Sequence, residues 1–209
     1  MELADSGAPP CREVRVHGFG FAWEQLGRNL LLAEDMDHAL LGALEVTGRF
    51  LDAEFGAFWA PDPVHDVVRT CAVWHRSSPP NLDFEAAAMH TAFRRGVGLV
   101  GAVWDRGEPG WVEDTLRDRN FPLAPHAAQA GFRSAIAFPV RDARRIPGII
   151  EFLGGSLRRP DGQLLECLAA IGDRIGGFVA DCSVEHRPRS RRESGPELLF
   201  PARDRLLLS

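Results

Sequence analysis

Glu151 is the ionisable residue with the most unusual sequence context. It lies between Ile149-Ile150 and Phe152-Leu153, an apolar run that is typical of a buried β-strand. A buried carboxylate is costly unless it is paired with a charge or accepts hydrogen bonds. Glu151 could therefore bind an amine or hydroxyl group of a ligand. Alternatively, it could have a structural partner such as Arg133 or a loop N–H group.

Residue types that support covalent or metal chemistry are sparse. All 24 residues in the Lys and Arg class are Arg, and Tyr is absent, so a Schiff-base lysine and a tyrosine acid are excluded. No cysteine forms a C-x-x-C pair or has a His at zinc-site spacing. We therefore predict reduced thiols and no metal site. The cysteines are Cys11, Cys71, Cys167 and Cys182.

Composition predicts a single globular domain with irregular ends. Hydrophobic residues make up 45% of the 209 residues, which is enough for a sizeable core. The net charge of −5 disfavours nucleic acid and anionic membranes as general partners. Because no signal peptide or membrane-spanning stretch is recognisable, we expect a cytoplasmic protein. We predict a flexible leader over 1–24, a folded domain over 25–186 and a disordered tail over 187–209.

Two long segments have helical apolar spacing. We predict one helix from Glu24 to Leu51, in which apolar residues recur every three or four positions and Asp37 fills the one gap. A second helix follows Asp161, which can cap its N-terminus. The heptad-like apolar spacing in both helices predicts a homodimer formed through these terminal helices.

The region between the helices has the pattern of an antiparallel sheet. Strands are predicted over 56–60, 67–74, 134–140 and 149–153, with a short strand over 110–114. Asp83 or Asn81 can cap a helix from Phe84 to Arg94, and Leu99 to Trp104 is a further short helix. The order of elements predicts an α+β fold with helices packed on an antiparallel sheet.

Several motifs occur in the order and spacing of a known family. Residues 96–104 read G-V-G-L-V-G-A-V-W, and residues 107–114 read G-E-P-G-W-V-E-D. Phe121-Pro122 is followed by A-G-F-R-S-A-I-A-F-P-V over 130–140 and by P-G-I-I-E-F over 147–152. From about Leu30 to Ala180 the chain resembles a GAF domain, and it is most similar to those of bacterial sensor histidine kinases.

The resemblance implies a GAF/PAS-like fold with about six antiparallel strands. The N- and C-terminal helices would pack on one face of the sheet, and loops and helices would cover a small-molecule pocket on the other. We assign the pocket to six candidate ligand-binding residues. They are Trp74, Trp111, Phe121, His126, Ile136 and Glu151.

Departures from the family pattern narrow the chemistry that the resemblance implies. No Cys lies between Trp74 and Gly154, which disfavours bilin attachment and free methionine sulfoxide reductase activity. The lysine-containing pattern for cyclic nucleotides is absent after Glu151. Leu123 stands where a basic residue often follows Phe-Pro, which disfavours an anionic ligand. His126 or His90 could ligate a haem iron, although a hydrogen-bonded or exposed imidazole is the alternative.

The resulting hypothesis is a sensory or regulatory GAF module that is not an enzyme. It would bind a small ligand, dimerise, or do both, with a histidine kinase or response regulator as a possible partner. The first alternative is a docking or dimerisation domain of a histidine-kinase system that binds no ligand, and the second is a haem sensor. The sequence does not identify the ligand or the output partner.

Overall fold

The computed structural model describes residues 18–76, 81–143 and 145–185, and it describes only the backbone of 183–185. The helices are α1 (Phe19–Leu32), α2 (Met36–Phe50), α3 (Leu82–His90), α4 (Gly98–Arg106), α5 (Ala124–Ala130) and α6 (Gly162–Glu185). The strands are β1 (Phe55–Asp62), β2 (Val67–His75), β3 (Ala92–Phe93), β4 (Gly110–Val112), β5 (Ser134–Val140) and β6 (Gly148–Gly154).

The six strands form one antiparallel sheet in the order β3-β2-β1-β6-β5-β4. Helices α1, α2 and α6 cover one face, which we call the helical face, and the opposite face is covered by α3, α4, α5 and their loops. We call this second side the loop face. The predicted α+β architecture is confirmed. Within the described residues, no helix has the length and apolarity needed to cross a bilayer.

The single helix predicted from Glu24 to Leu51 is wrong. The chain breaks between α1 and α2, where Ala33 is extended and the Asp35 side chain accepts a hydrogen bond of 2.8 Å from the backbone N–H of His38. This N-cap begins a new helix, so α2 folds back against α1. The gap at Asp37 in the apolar pattern marks this break.

Helix α1 begins inside the segment that was predicted as a flexible leader. Residues 19–24 are helical because Phe19, Ala22 and Leu26 share a face that is buried against the other terminal helices. The Arg174 guanidinium of α6 stacks 4.3 Å from the Trp23 ring centroid, and its Nη1 donates to the Trp23 carbonyl at 3.1 Å. The rest of the predicted leader and the predicted tail over 187–209 lie outside the described residues.

Helix α6 lies directly on the backbone of β5 and the residues that follow it. A Cβ added to Gly172 would lie 2.2 Å from the Pro139 carbonyl oxygen, and one added to Gly176 would lie 1.7 Å from that of Arg141. Any side chain larger than hydrogen at these two positions would push the helix off the strand. The glycines therefore set the distance between the C-terminal helix and the sheet.

The predicted helix from Phe84 to Arg94 is also too long. It is capped by the Asn81 side chain, which accepts from the Phe84 N–H at 3.0 Å, and it ends at His90. Thr91 is extended, and the next two residues form the edge strand β3 against β2. Phe93 of this strand is thereby placed on the loop face.

Candidate functional site

A small cavity lies on the loop face, above the centre of the sheet. The space between its walls is too narrow to hold a water molecule. Ligand pockets are commonly about 300–1,000 Å³. The structure therefore shows a closed site. Its lining residues are Phe93, Gly98, Leu99, Phe121, Pro122, Leu123 and Glu151.

Glu151 is the ionisable residue in this lining. On β6, Ile150 and Phe152 face the helices, so the alternation of a strand turns Glu151 to the loop face. Its neighbours across the sheet are Ala57 on β1 and Ala137 on β5, and these small side chains leave space beside the carboxyl group.

Burial dominates the chemistry of Glu151. The residue is only 3% exposed, and the loss of hydration raises the pKa of its carboxyl group to about 8. The indole of Trp59 acts in the opposite direction by favouring the charged form. The Trp59 Nε1 is nevertheless buried without a hydrogen bond of normal geometry among the described residues. The cavity wall thus contains a buried carboxyl group that has only the weakly placed indole of Trp59 to offset the loss of hydration.

Helix α4 contributes its N-terminus to the same cavity. Gly98, the first residue of α4, has a φ of +68°, a left-handed conformation that favours glycine. Gly101 lies against the preceding loop, since an added Cβ would be 2.1 Å from the Arg94 carbonyl oxygen. These two requirements explain the G-x-G-L-x-G motif as the geometry of this turn.

The Asn120 side chain holds this turn in place. Its Oδ1 accepts from the Gly98 N–H at 2.9 Å, and its Nδ2 donates to the Gly96 carbonyl at 3.0 Å. The next two N–H groups, of Leu99 and Val100, have no acceptor within the described residues. Both residues are buried, and Leu99 belongs to the cavity lining, so the first turn of α4 retains unused backbone donors close to the cavity.

The structure brings two of the six predicted site residues into the cavity lining, Phe121 and Glu151. Trp111 and Ile136 are opposite each other on β4 and β5, and both face the helices. They lie outside this lining because the large residues of β5 face the helices, while Ala135 and Ala137 face the loops.

Trp74 lies outside the lining for a different reason. Phe58 pairs with Ala72 and Trp59 pairs with Thr70, so Cys71 is an extra residue that forms a β-bulge. The bulge inverts the alternation of β2, and Trp74 packs on the helical face against Gly48 of α2. The sequence pattern predicts one regular strand over 67–74, and such a pattern does not reveal a bulge or the inversion that it causes.

Neither histidine proposed as a haem ligand lies in the cavity lining. His126 is exposed in the first turn of α5 and is not among the lining residues. His90 is exposed at the end of α3, where its Nδ1 is 2.7 Å from the Ala86 carbonyl oxygen. Arg133, the suggested partner of Glu151, is exposed at the start of β5, where its backbone N–H donates to Gly154.

Sequence reasoning missed several wall residues. Phe93 was placed in a helix, and Gly98, Leu99 and Pro122 were identified only as parts of motifs. Leu123 was expected near the site because of its position after Phe-Pro, and it is in the lining. Asn120, which holds the turn before α4, was also missed. Its position directly before Phe121-Pro122 is the one sequence feature that sets it apart, because a polar residue in a loop has no distinctive pattern.

A family model described as "GAF domain" matches residues 33–180. A comparison with curated proteins found no match. The fold matches solved structures at low sequence identity. The GAF domain of a phosphoenolpyruvate-protein phosphotransferase from Coxiella burnetii has a TM-score of 0.67 and 14% identity, with 80% of this chain and 96% of that chain covered. The corresponding domain from Acinetobacter has a TM-score of 0.64 and 12% identity, with coverages of 81% and 98%.

A third similar structure is an enzyme. It is the free methionine-R-sulfoxide reductase from Neisseria meningitidis in complex with its substrate, with a TM-score of 0.61 and 16% identity. The match covers 88% of this chain and 98% of that chain. At this level of identity the likeness establishes the fold and leaves the activity open.

Proposed function

Because the chain belongs to the GAF domain family, we propose that it is a regulatory module that binds a small ligand in the loop-face cavity. The observation that carries this proposal is the buried carboxyl group of Glu151 in the cavity wall, which has no charged partner among the lining residues. Proteins rarely retain such a group without a partner, because its burial costs stability. A ligand that supplies the missing partner would offset this cost.

We further propose that the module is not an enzyme. The side chains of the lining residues include one carboxyl group and no thiol, hydroxyl, amine or imidazole group. Cys71 occupies the bulge of β2, and Cys167 is buried on the helical face. Neither thiol belongs to the lining, so the arrangement supports binding and offers no cysteine for a covalent step.

Ligand binding can be tested by thermal shift with a metabolite library. We expect at least one compound to raise the melting temperature of the wild-type protein, because a ligand that binds only the folded state stabilises it. The same compound should have little effect on Leu123→Phe, in which a larger side chain fills the cavity. Glu166→Gln, on the exposed side of α6, is the matched control and should respond like the wild type. If no compound stabilises the wild type, the proposal is wrong.

A second role, dimerisation, is favoured by the surface of α1. Phe21, Leu31 and Leu32 are 69%, 84% and 70% exposed, which is unusual for large apolar side chains. We propose that a second copy of the chain covers them and that the terminal helices form the interface. A shift in their packing would then report ligand binding to a histidine kinase or response regulator in the cytoplasm.

Light scattering at increasing protein concentration tests the dimer. The double variant Phe21→Glu, Leu31→Glu should remain monomeric where the wild type dimerises. Val64→Glu is the control, since Val64 is also 68% exposed but lies in the turn after β1. A wild-type protein that is monomeric at every concentration, or a dimer that both variants retain, would contradict this interface.

A further inference from the structure

The apolar pattern of the sequence continues through the break between α1 and α2. Residues at alternating spacings of four and three would form one stripe along a continuous helix. They are Phe19, Trp23, Leu26, Leu30, Ala33, Asp37, Leu40, Leu44 and Thr47. Asp37 is the one charged member of this stripe. The segment that folds back in the structure therefore also has the pattern of a single straight helix.

The break itself is held by a local and exposed interaction. The Asp35 side chain accepts a hydrogen bond of 2.8 Å from the backbone N–H of His38, and it is 61% exposed. Ala33 is extended, so the helical hydrogen bonds stop there. An N-cap of this kind is a modest contribution that a gain in packing elsewhere can outweigh.

Helix α1 is an outer layer of the helical face. It packs mainly on α2 and α6, and it precedes the segment that matches the family model, residues 33–180. Its close contacts are specific in shape. An added Cβ on Gly27 would lie 2.1 Å from the Arg174 guanidinium of α6, and the Asn29 Nδ2 donates to the Gly42 carbonyl of α2 at 3.3 Å. The α2 and α6 of a second copy offer the same surfaces.

Two exposed leucines lie directly beside the break. Leu31 is 84% exposed and Leu32 is 70% exposed. Straightening the chain in a single copy would bring no gain, because it would also expose the buried face of α1. Where the straightened segments of two copies cross, however, the four leucines can bury one another, and this burial favours association.

We propose that two copies of this chain exchange α1. Residues 31–37 straighten so that α1 and α2 form one helix, and the buried face of each α1 packs on α2 and α6 of the second copy. This inference rests on the proposed dimerisation through the terminal helices and specifies how the two copies are joined.

The balance between the two forms is decided at the hinge. Exchange replaces each contact of α1 with the same contact in the other copy, which makes it a low-cost route to a dimer. The exchanged form loses the Asp35 cap in each chain. It gains the hydrogen bonds of a continuous helix and the burial of Leu31 and Leu32. Because two copies are required, its population should increase with protein concentration.

A disulfide between different chains detects the exchange directly. A Cβ added to Gly42 would lie 3.2 Å from the Asn29 Cβ, close to the roughly 3.5–4.5 Å between the Cβ atoms of a disulfide. Asn29→Cys and Gly42→Cys are therefore made in separate chains, unfolded together in urea, refolded at high protein concentration and oxidised. Without exchange each introduced thiol faces its own chain, which has no second thiol at that contact.

We expect a covalent dimer in which mass spectrometry identifies the linked peptides around positions 29 and 42. The control mixes Asn29→Cys with Val64→Cys. Val64 is 68% exposed in the turn after β1, so this pair reports cross-linking by random collision. Wild-type protein treated in the same way reports linkage through the native cysteines.

Variants of the hinge shift the balance in opposite directions. Asp35→Ala removes the cap and should lower the dimer dissociation constant by about tenfold, because each dimer contains two hinges. Glu34→Ala removes a neighbouring exposed carboxylate without affecting the cap, and it should leave the constant almost unchanged. Analytical ultracentrifugation measures both.

Met36→Pro should prevent the exchange. Met36 is the first residue of α2, and Asp35 before it is extended, so proline suits the folded-back chain. In a continuous helix the same proline would remove a hydrogen bond and collide with the preceding turn. We expect the dimer to weaken by more than about a hundredfold. Met36→Ala, which loses the same side chain but keeps the backbone N–H, should still dimerise.

The outcomes distinguish this inference from the proposed dimer. The disulfide between positions 29 and 42 of different chains, at a yield above the Val64→Cys control, supports both. A wild-type dimer that forms without this disulfide overturns the exchange and leaves a side-by-side interface. A folded Met36→Pro protein that dimerises as well as Met36→Ala also overturns the exchange. If the wild type is monomeric at every concentration, both proposals fail.

Discussion

Glu151 makes the stability of the ligand-free protein depend on pH in a direction that is unusual for a carboxyl group. Its pKa is about 8 in the folded state, compared with 4.5 in the unfolded chain. Below pH 4.5 both states hold the proton, and the group has no effect on stability. Between pH 4.5 and 8 the unfolded chain loses its proton while the folded protein keeps it, so stability falls as the pH rises. Above pH 8 the loss reaches its full value.

The size of the effect follows from the pKa difference. A shift of about 3.5 units corresponds to about 5 kcal/mol of unfolding free energy by pH 8. Domains of this kind have total stabilities of about 5–15 kcal/mol. A single carboxyl group therefore controls a large fraction of the stability that remains at alkaline pH.

Urea denaturation monitored by the fluorescence of the five tryptophans measures this effect. Glu151→Gln has almost the same shape but cannot ionise. We expect it to match the wild type near pH 4.5 and to be more stable by about 5 kcal/mol at pH 8 and above. Taking the difference between the two proteins removes the contribution of the histidines. A difference that does not grow between pH 5 and 8, or one that grows equally for Glu166→Gln, would refute the reasoning.

Other predictions concern the glycines and the turn before α4. Gly172→Ala should reduce the unfolding free energy by about 1–3 kcal/mol, because its Cβ collides with the Pro139 carbonyl. At Gly177 in the same helix, no atom lies within 4 Å of an added Cβ, so Gly177→Ala should increase the unfolding free energy by up to about 1 kcal/mol. Equal effects of the two variants in urea denaturation would contradict this distinction. Asn120→Ala should reduce the unfolding free energy by about 1–2 kcal/mol through the loss of hydrogen bonds to Gly96 and Gly98. Asn120→Asp retains the acceptor for Gly98 and should reduce it less, and the opposite order in thermal unfolding would exclude this role.

The sequence predicted the sheet well because its signals are local. Strands β5 and β6 alternate or run apolar between clear turn residues, and their predicted positions agree with the structure to within one residue at each end. The motifs around Gly98 and Pro139 occur in a family-specific order, so the architecture followed from the resemblance. Glu151 was recognisable because a charge within an apolar strand is conspicuous.

The remaining site residues depend on information that local patterns do not contain. Trp74 lies outside the lining because the bulge at Cys71 inverts the faces of β2, and β-rich residues on both sides conceal it. Ile136 also lies outside it, since large residues were expected around a ligand, whereas the small residues of β5 provide the space. The break before α2 was missed because the Asp35 cap overrides a nearly continuous helical pattern.

Helix α6 contacts the backbone of β5 and of the residues after it without intervening side chains, and this has a mechanical consequence. At Gly172 and Gly176 the helix rests on backbone carbonyls, without side chains that could change rotamer and absorb a displacement. A movement of β5 by a fraction of an ångström must therefore be followed by α6 over a similar distance. Strand β5 is hydrogen-bonded to β6, and β6 carries Glu151 on the loop face of the sheet. We therefore expect a displacement of the strands at the cavity to be transmitted through the sheet to the C-terminal helix.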